Sequence, residues 1–115
     1  MSPGGSPVPT IALSRSHGPL GTRVTVSGWV PAGLAAKGCR FVRVTEGRAA
    51  GGAASNEEVV PVRARRYQAA VTMWDAGGPD TPAPERVVGA SCLRSRDDQE
   101  GVGEQATAAF MITAR

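Results

Sequence analysis

An antiparallel β-sandwich is the fold this sequence predicts, and three observations predict it. Gly 15 and Pro 9 punctuate a chain of 115 residues at short intervals, while aromatic residues make up only 4%; that is the composition of many short strands joined by turns, not of a helical bundle. Wherever apolar residues recur regularly they do so with a period of two, and no segment shows a helical period. The length fits one domain and leaves no room for a second. A barrel is the structural alternative, with the same strands closed on themselves.

The strands follow in order. Residues 1–9 form a Pro/Gly-rich arm or linker, because each proline biases itself and its predecessor away from helix; the domain proper is residues 10–115. Ile11 and Leu13 alternate with Ala12 and Ser14 as a first short strand, and His17 to Gly21 reads as a loop. Thr22 to Gly28 is the clearest strand, with Val24 and Val26 on one face and Arg23, Thr25 and Ser27 on the other. Pro31-Ala-Gly33 marks a turn, and Arg40 to Glu46 alternates again around Val42 and Val44. Gly47 to Ser55, almost all Gly and Ala, is a hairpin loop that packs no core.

Glu57 to Arg63 is a strand whose Pro61 places it on an edge, since proline donates nothing to a ladder. Tyr67 to Trp74 puts Tyr67, Ala69, Val71 and Met73 on one face, and Asp75 to Pro84 is a loop. Arg86 to Leu93 carries Val88, Ala90 and Cys92 in phase, Arg94 to Gly103 is a charged hairpin tip, and Ala106 to Thr113 closes the chain with Ala108, Phe110 and Ile112 inward. These seven strands predict one core of Val24, Val26, Val42, Val44, Val71, Val88, Phe110 and Ile112.

Several function classes drop out. A hydrophobic content of 41% is too high for a disordered chain, and no apolar run reaches the ~18 residues of a membrane span. A formal charge of +3 is too small to make nucleic acid the expected partner. His17 is the only histidine, and Ser14-Arg-Ser-His17 lies away from any nucleophile elbow, so no catalytic residue is assigned. Asp97-Asp-Gln-Glu100 and the pair Asp75 and Asp80 lack calcium-loop spacing and read as solubilising tips; no metal site and no cofactor is expected. Gly47 to Gly52 opens no helix and is no phosphate cradle.

Cys39 and Cys92 lack zinc-site spacing. They are either two buried thiols, as a reducing cytosol allows, or one disulfide, as export or a virion surface allows. Met1 to Pro9 has neither the positive nor the apolar region of a signal peptide, so the chain either is used without export or is a mature segment with an added Met. For binding, Trp29 and Trp74 fall at strand ends beside turns, where an exposed ring anchors a sugar or protein and a half-buried one caps the core. Arg63, Arg65 and Arg66 with Tyr67 form the densest basic cluster, suited to an acidic partner or to guarding an edge against aggregation.

Pro9-Thr-Ile-Ala-Leu-Ser14, Gly21-Thr-Arg-Val-Thr-Val-Ser-Gly28 and Pro31-Ala-Gly33, with Val88-Gly-Ala-Ser-Cys-Leu93 and Ala108 to Thr113, resemble actinobacterial immunoglobulin-like modules. The resemblance implies an immunoglobulin-like sandwich and a Cys39 to Cys92 disulfide between the third and penultimate strands. The chain is also similar to neocarzinostatin-type apoproteins in length, in its Gly-Thr-x-Val-x-Val-x-Gly strand and in the Gly38-Cys39 step, which implies a carrier of a small apolar ligand; it lacks their two local disulfides. Phage-borne immunoglobulin-like domains imply a third setting, contact with capsid subunits. The expectation is a non-enzymatic binding or structural module, extracellular, on a cell surface or on a virion, that contacts a protein or carbohydrate surface.

Overall fold

The structure, a computed structural model, describes residues 8–48, 56–73 and 85–113. Eight strands and one short helix follow one another: β1 Ala12–Leu13, β2 His17–Gly18, β3 Arg23–Trp29, α1 Ala32–Ala36, β4 Phe41–Arg48, β5 Asn56–Pro61, β6 Arg66–Thr72, β7 Glu85–Leu93 and β8 Val102–Ile112. They form a three-stranded sheet, β1-β3-β6, and a five-stranded sheet, β2-β8-β7-β4-β5. All pairings are antiparallel except β2 with β8. The fold is the expected all-β sandwich.

The alternation read from the sequence sets the register. Val24 pairs with Val71 and Val26 with Ala69 across β3 and β6, while Val42 pairs with Cys92 and Val44 with Ala90 across β4 and β7. Directly opposed residues share a face, so these apolar sets point together into the space between the sheets. Seven of the eight expected core residues are buried, and Ile112 is half-buried against them. Each buried valine contributes roughly 1.5–3 kcal/mol, so this alternation is the main source of stability. Pro61 lies on β5, the edge of its sheet, as its missing N–H demands.

Four expectations need correction. The strands number eight and not seven: β1 pairs with β3, and the chain then crosses to the other sheet, where His17 and Gly18, expected in a loop, form β2 beside Met111 and Ile112 of β8. Pro31-Ala-Gly33 is not a turn but the start of α1, whose Leu34 is buried at the end of the core. That helix closes with the Gly38 N–H on the Ala35 carbonyl and the Cys39 N–H on the Leu34 carbonyl, both at 3.1 Å. Gly38 has φ +100°, the left-handed conformation this C-cap requires and glycine adopts without strain. The charged tip begins after Leu93 and ends sooner than expected, because Val102 and Gly103 already belong to β8. Arg63, expected at the end of the preceding strand, lies outside it: β5 ends at Pro61, and residues 63–66 close a hairpin into β6, described below.

The helix cap delivers Cys39 to Cys92 on β7, and the two form a disulfide with Cα atoms 5.3 Å apart. The bridge ties the segment just before β4 to β7, the strand beside β4 in the sheet, and both cysteines are buried. The tip 94–101 folds back over the outer face of that sheet: Arg96 lies over the Phe41 ring, and Arg43 donates to the Asp98 carbonyl at 2.7 Å. Backbone N–H groups of Arg94, Glu100 and Gly101 all donate to the Asp98 carboxylate, which holds its pKa below the ordinary value.

Candidate functional site

A groove of about 640 Å³ lies where β3, β5 and β6 meet, on the outward face of the three-stranded sheet. Trp29, Arg63, Arg66 and Tyr67 all line it, together with Thr10, Ser27, Gln68 and the β5 residues Val60 and Pro61. The structure therefore brings together four of the six residues singled out for binding. Arg65 turns away, its Nε donating to the Val30 carbonyl at 3.0 Å, which ties the hairpin to the end of β3. Trp74, like the expected loop Asp75 to Pro84, residues 1–7 of the expected arm and residues 49–55, lies outside the described residues.

Trp29 is the exposed aromatic of the site, with 47% of its surface accessible. It stands directly opposite Arg66 in the antiparallel ladder, so both side chains leave the sheet on the same side. The Arg66 guanidinium carbon lies 4.2 Å from the centroid of the indole ring, a cation–π contact that fixes the charge in place.

Local geometry explains why the wall of the groove stands where it does. Thr10 runs beside the end of β3, its N–H donating to the Trp29 carbonyl at 2.9 Å and its Oγ1 accepting from the Trp29 N–H at 2.7 Å. A Cβ at residue 28 would collide with the Thr10 carbonyl and the Tyr67 ring, so only glycine lets these segments meet. Tyr67 is buried and donates its hydroxyl to the same Thr10 carbonyl at 2.7 Å, and burial pushes its pKa up to about 12. Its role here is to anchor residue 10, with the ring presented as apolar wall.

Arg63 and Arg66 exchange two backbone hydrogen bonds of 2.9 Å, closing a two-residue hairpin over Ala64 and Arg65. Both turn residues have positive φ, 51° and 61°, the pattern of a type I′ turn without the Asn or Gly that usually serves it. They are the only non-glycine residues with positive φ among those described.

Ser27 and Gln68 were legible as outward phase on β3 and β6 but carried no signal that they would flank a groove. Thr10, Val60 and Pro61 were not singled out for binding, because their place in the wall depends on strands far away in the chain. Elsewhere, His17 is exposed on β2 with its Nδ1 3.4 Å from Ser16 Oγ, its neighbour in sequence. No group of three potential metal ligands occurs among the described residues. Among those residues no helix is long and apolar enough to cross a membrane. Compared with known proteins, the chain matches no family model and no curated protein.

Proposed function

We propose that this chain is a non-enzymatic binding module that contacts a macromolecular surface through the groove of Trp29, Arg63 and Arg66. One observation carries the reading: a half-exposed indole and a guanidinium stacked on it occupy the outward face of a sheet whose inward residues are spent on the core. Exposed aromatic and arginine side chains are the usual anchors of protein interfaces. A carrier of a small apolar molecule calls for a deep apolar cleft between loops, whereas this groove is formed mainly by strands and carries two arginines. The disulfide belongs to an oxidising environment, which supports an extracellular, cell-surface or virion setting and fits the resemblance to actinobacterial and phage-borne immunoglobulin-like modules.

Immobilised proteins and glycans, probed with the wild type and with Trp29→Ala, test this reading. Binding that falls at least tenfold in the variant, with the circular dichroism spectrum unchanged, supports it. Equal binding by both proteins removes the groove from consideration.

A further inference from the structure

The hairpin that borders the groove is built against its own local preferences in two independent ways. Arg63 and Arg66 stand directly opposite each other, and like charges in that position repel. Ala64 and Arg65 between them adopt the left-handed conformation, which side chains bearing a Cβ disfavour. Three guanidiniums thus crowd four residues, and among the described residues none of them forms a salt bridge; the carboxylates of Glu57 and Glu46 pair instead with Arg43 and Arg86. Strain of this kind persists where surrounding structure enforces it, and it gathers at ligand clamps.

The groove complements one kind of chemistry. Arg63 and Arg66 both line it, no acidic residue does, and beside them lie Val60, Pro61 and the Tyr67 ring. A carboxylate accepts paired N–H bonds from guanidinium forks, and the repulsion between the two arginines falls when an anion sits between them. The Trp29 ring holds Arg66 in place before any ligand arrives, so little side-chain freedom remains to be lost on binding.

The same geometry argues against a polyanionic chain. Moving along the outward face from the Trp29 and Arg66 pair, the next pairs are Ser27 with Gln68 and Thr25 with Ala70, and positive charge returns only at Arg23. That is a gap of about 20 Å at strand spacing, too long for a continuous basic track. A sugar stacked on the indole would have to displace Arg66 from the ring face it covers.

We propose that the Arg63–Arg66 hairpin is a carboxylate clamp for an acidic segment of a partner protein, with an apolar side chain of that segment resting against Val60 and Pro61. This inference rests on the binding-module reading and names its ligand chemistry.

The test uses the full chain and two fluorescent capped hexapeptides, one with a single Glu flanked by leucines and one with Gln in its place, alongside a labelled heparin fragment, all followed by anisotropy. The Glu peptide is expected to bind at least tenfold more tightly than the Gln peptide. Arg66→Lys, which keeps the charge and loses the fork, should weaken it at least fivefold. Arg63→Ser should weaken it similarly while leaving the thermal midpoint unchanged or higher, because repulsion is relieved; this variant separates loss of binding from loss of fold. Equal affinity for both peptides, no measurable binding of either, or full binding by Arg63→Ser would overturn the clamp. Heparin binding with a steep salt dependence and no peptide preference would overturn the acidic-peptide occupant while leaving the binding-module reading intact.

Discussion

Arg86 Nε lies 2.6 Å from Glu46 Oε1, and both side chains are fully excluded from solvent. The pair bridges neighbouring strands β4 and β7, and Asn56 Nδ2 donates to the second Glu46 oxygen at 3.2 Å. A buried ion pair gains little over a well-packed apolar pair, since desolvation offsets most of its attraction, but removing the arginine leaves the Glu46 carboxylate in the interior without its counter-charge. Arg86→Met is therefore expected to cost about 3–5 kcal/mol in urea unfolding. Glu46→Leu combined with Arg86→Met should recover most of that loss. A double variant as unstable as the single one would show that the pair itself holds the sheet together.

This pair also marks the limit of what the sequence discloses. Glu46 continues the phase of Val42 and Val44, and Arg86 that of Val88, Ala90 and Cys92, so the alternation alone places two opposite charges inward. Their partnership is not legible within either strand, because it depends on which strands become neighbours in the sheet. Most of the sandwich was legible for the same reason: period-two patterns are local, and Val24, Val26, Val42 and Val44 needed no knowledge of distant residues. The helix was hidden because five residues show too little of a period, although Gly38 is a recognisable C-cap signal. The groove was half legible. Trp29, Arg63 and Arg66 stand out by residue type, whereas Thr10, Val60 and Pro61 reach it only through pairings between strands remote in sequence.

The disulfide closes a long segment, with Cys39 and Cys92 separated by 53 residues. For a loop of that size the chain-entropy model gives roughly 4 kcal/mol, a large share of the stability of a small domain. Reduction, or Cys39→Ala with Cys92→Ala, should lower the unfolding free energy by about that amount. An unchanged denaturation midpoint after verified reduction would mean that β4 and β7 are held by their ladder and packing alone.

The hairpin strain is measurable by itself. Ala64 makes its turn at φ 51°, where an Asn or Gly would sit more easily. Ala64→Asn is expected to stabilise the fold by about 0.5–1 kcal/mol, and Ala64→Val to destabilise it, because a β-branched side chain fits that conformation worst. Arg65 is a poorer place for this test, since its Nε bond to Val30 would be lost at the same time. Equal stability of the Asn and Val variants would show that the turn is not under strain.

Tyr67 is the only tyrosine, so absorbance at ~295 nm follows its ionisation without interference from another phenol. Its pKa stands at about 12 in the fold because burial disfavours the phenolate, against an ordinary value of 10.0. The neutral form is thus favoured more in the folded than in the unfolded chain. Tyr67 contributes stability in full below pH ~10, and the contribution fades as pH rises from there towards ~12. The phenolate, once formed, also loses the proton it donates to the Thr10 carbonyl, so the Thr10 segment should loosen from β3 in the same window. The expected titration is a single transition near pH 12 that moves to about 10 in denaturant. Tyr67→Phe should remove Tyr67's contribution to the alkaline loss of stability and cost about 1–3 kcal/mol at neutral pH by leaving the Thr10 carbonyl without its donor. A native titration midpoint near 10 would show that the phenol is solvated and does not anchor the wall of the groove.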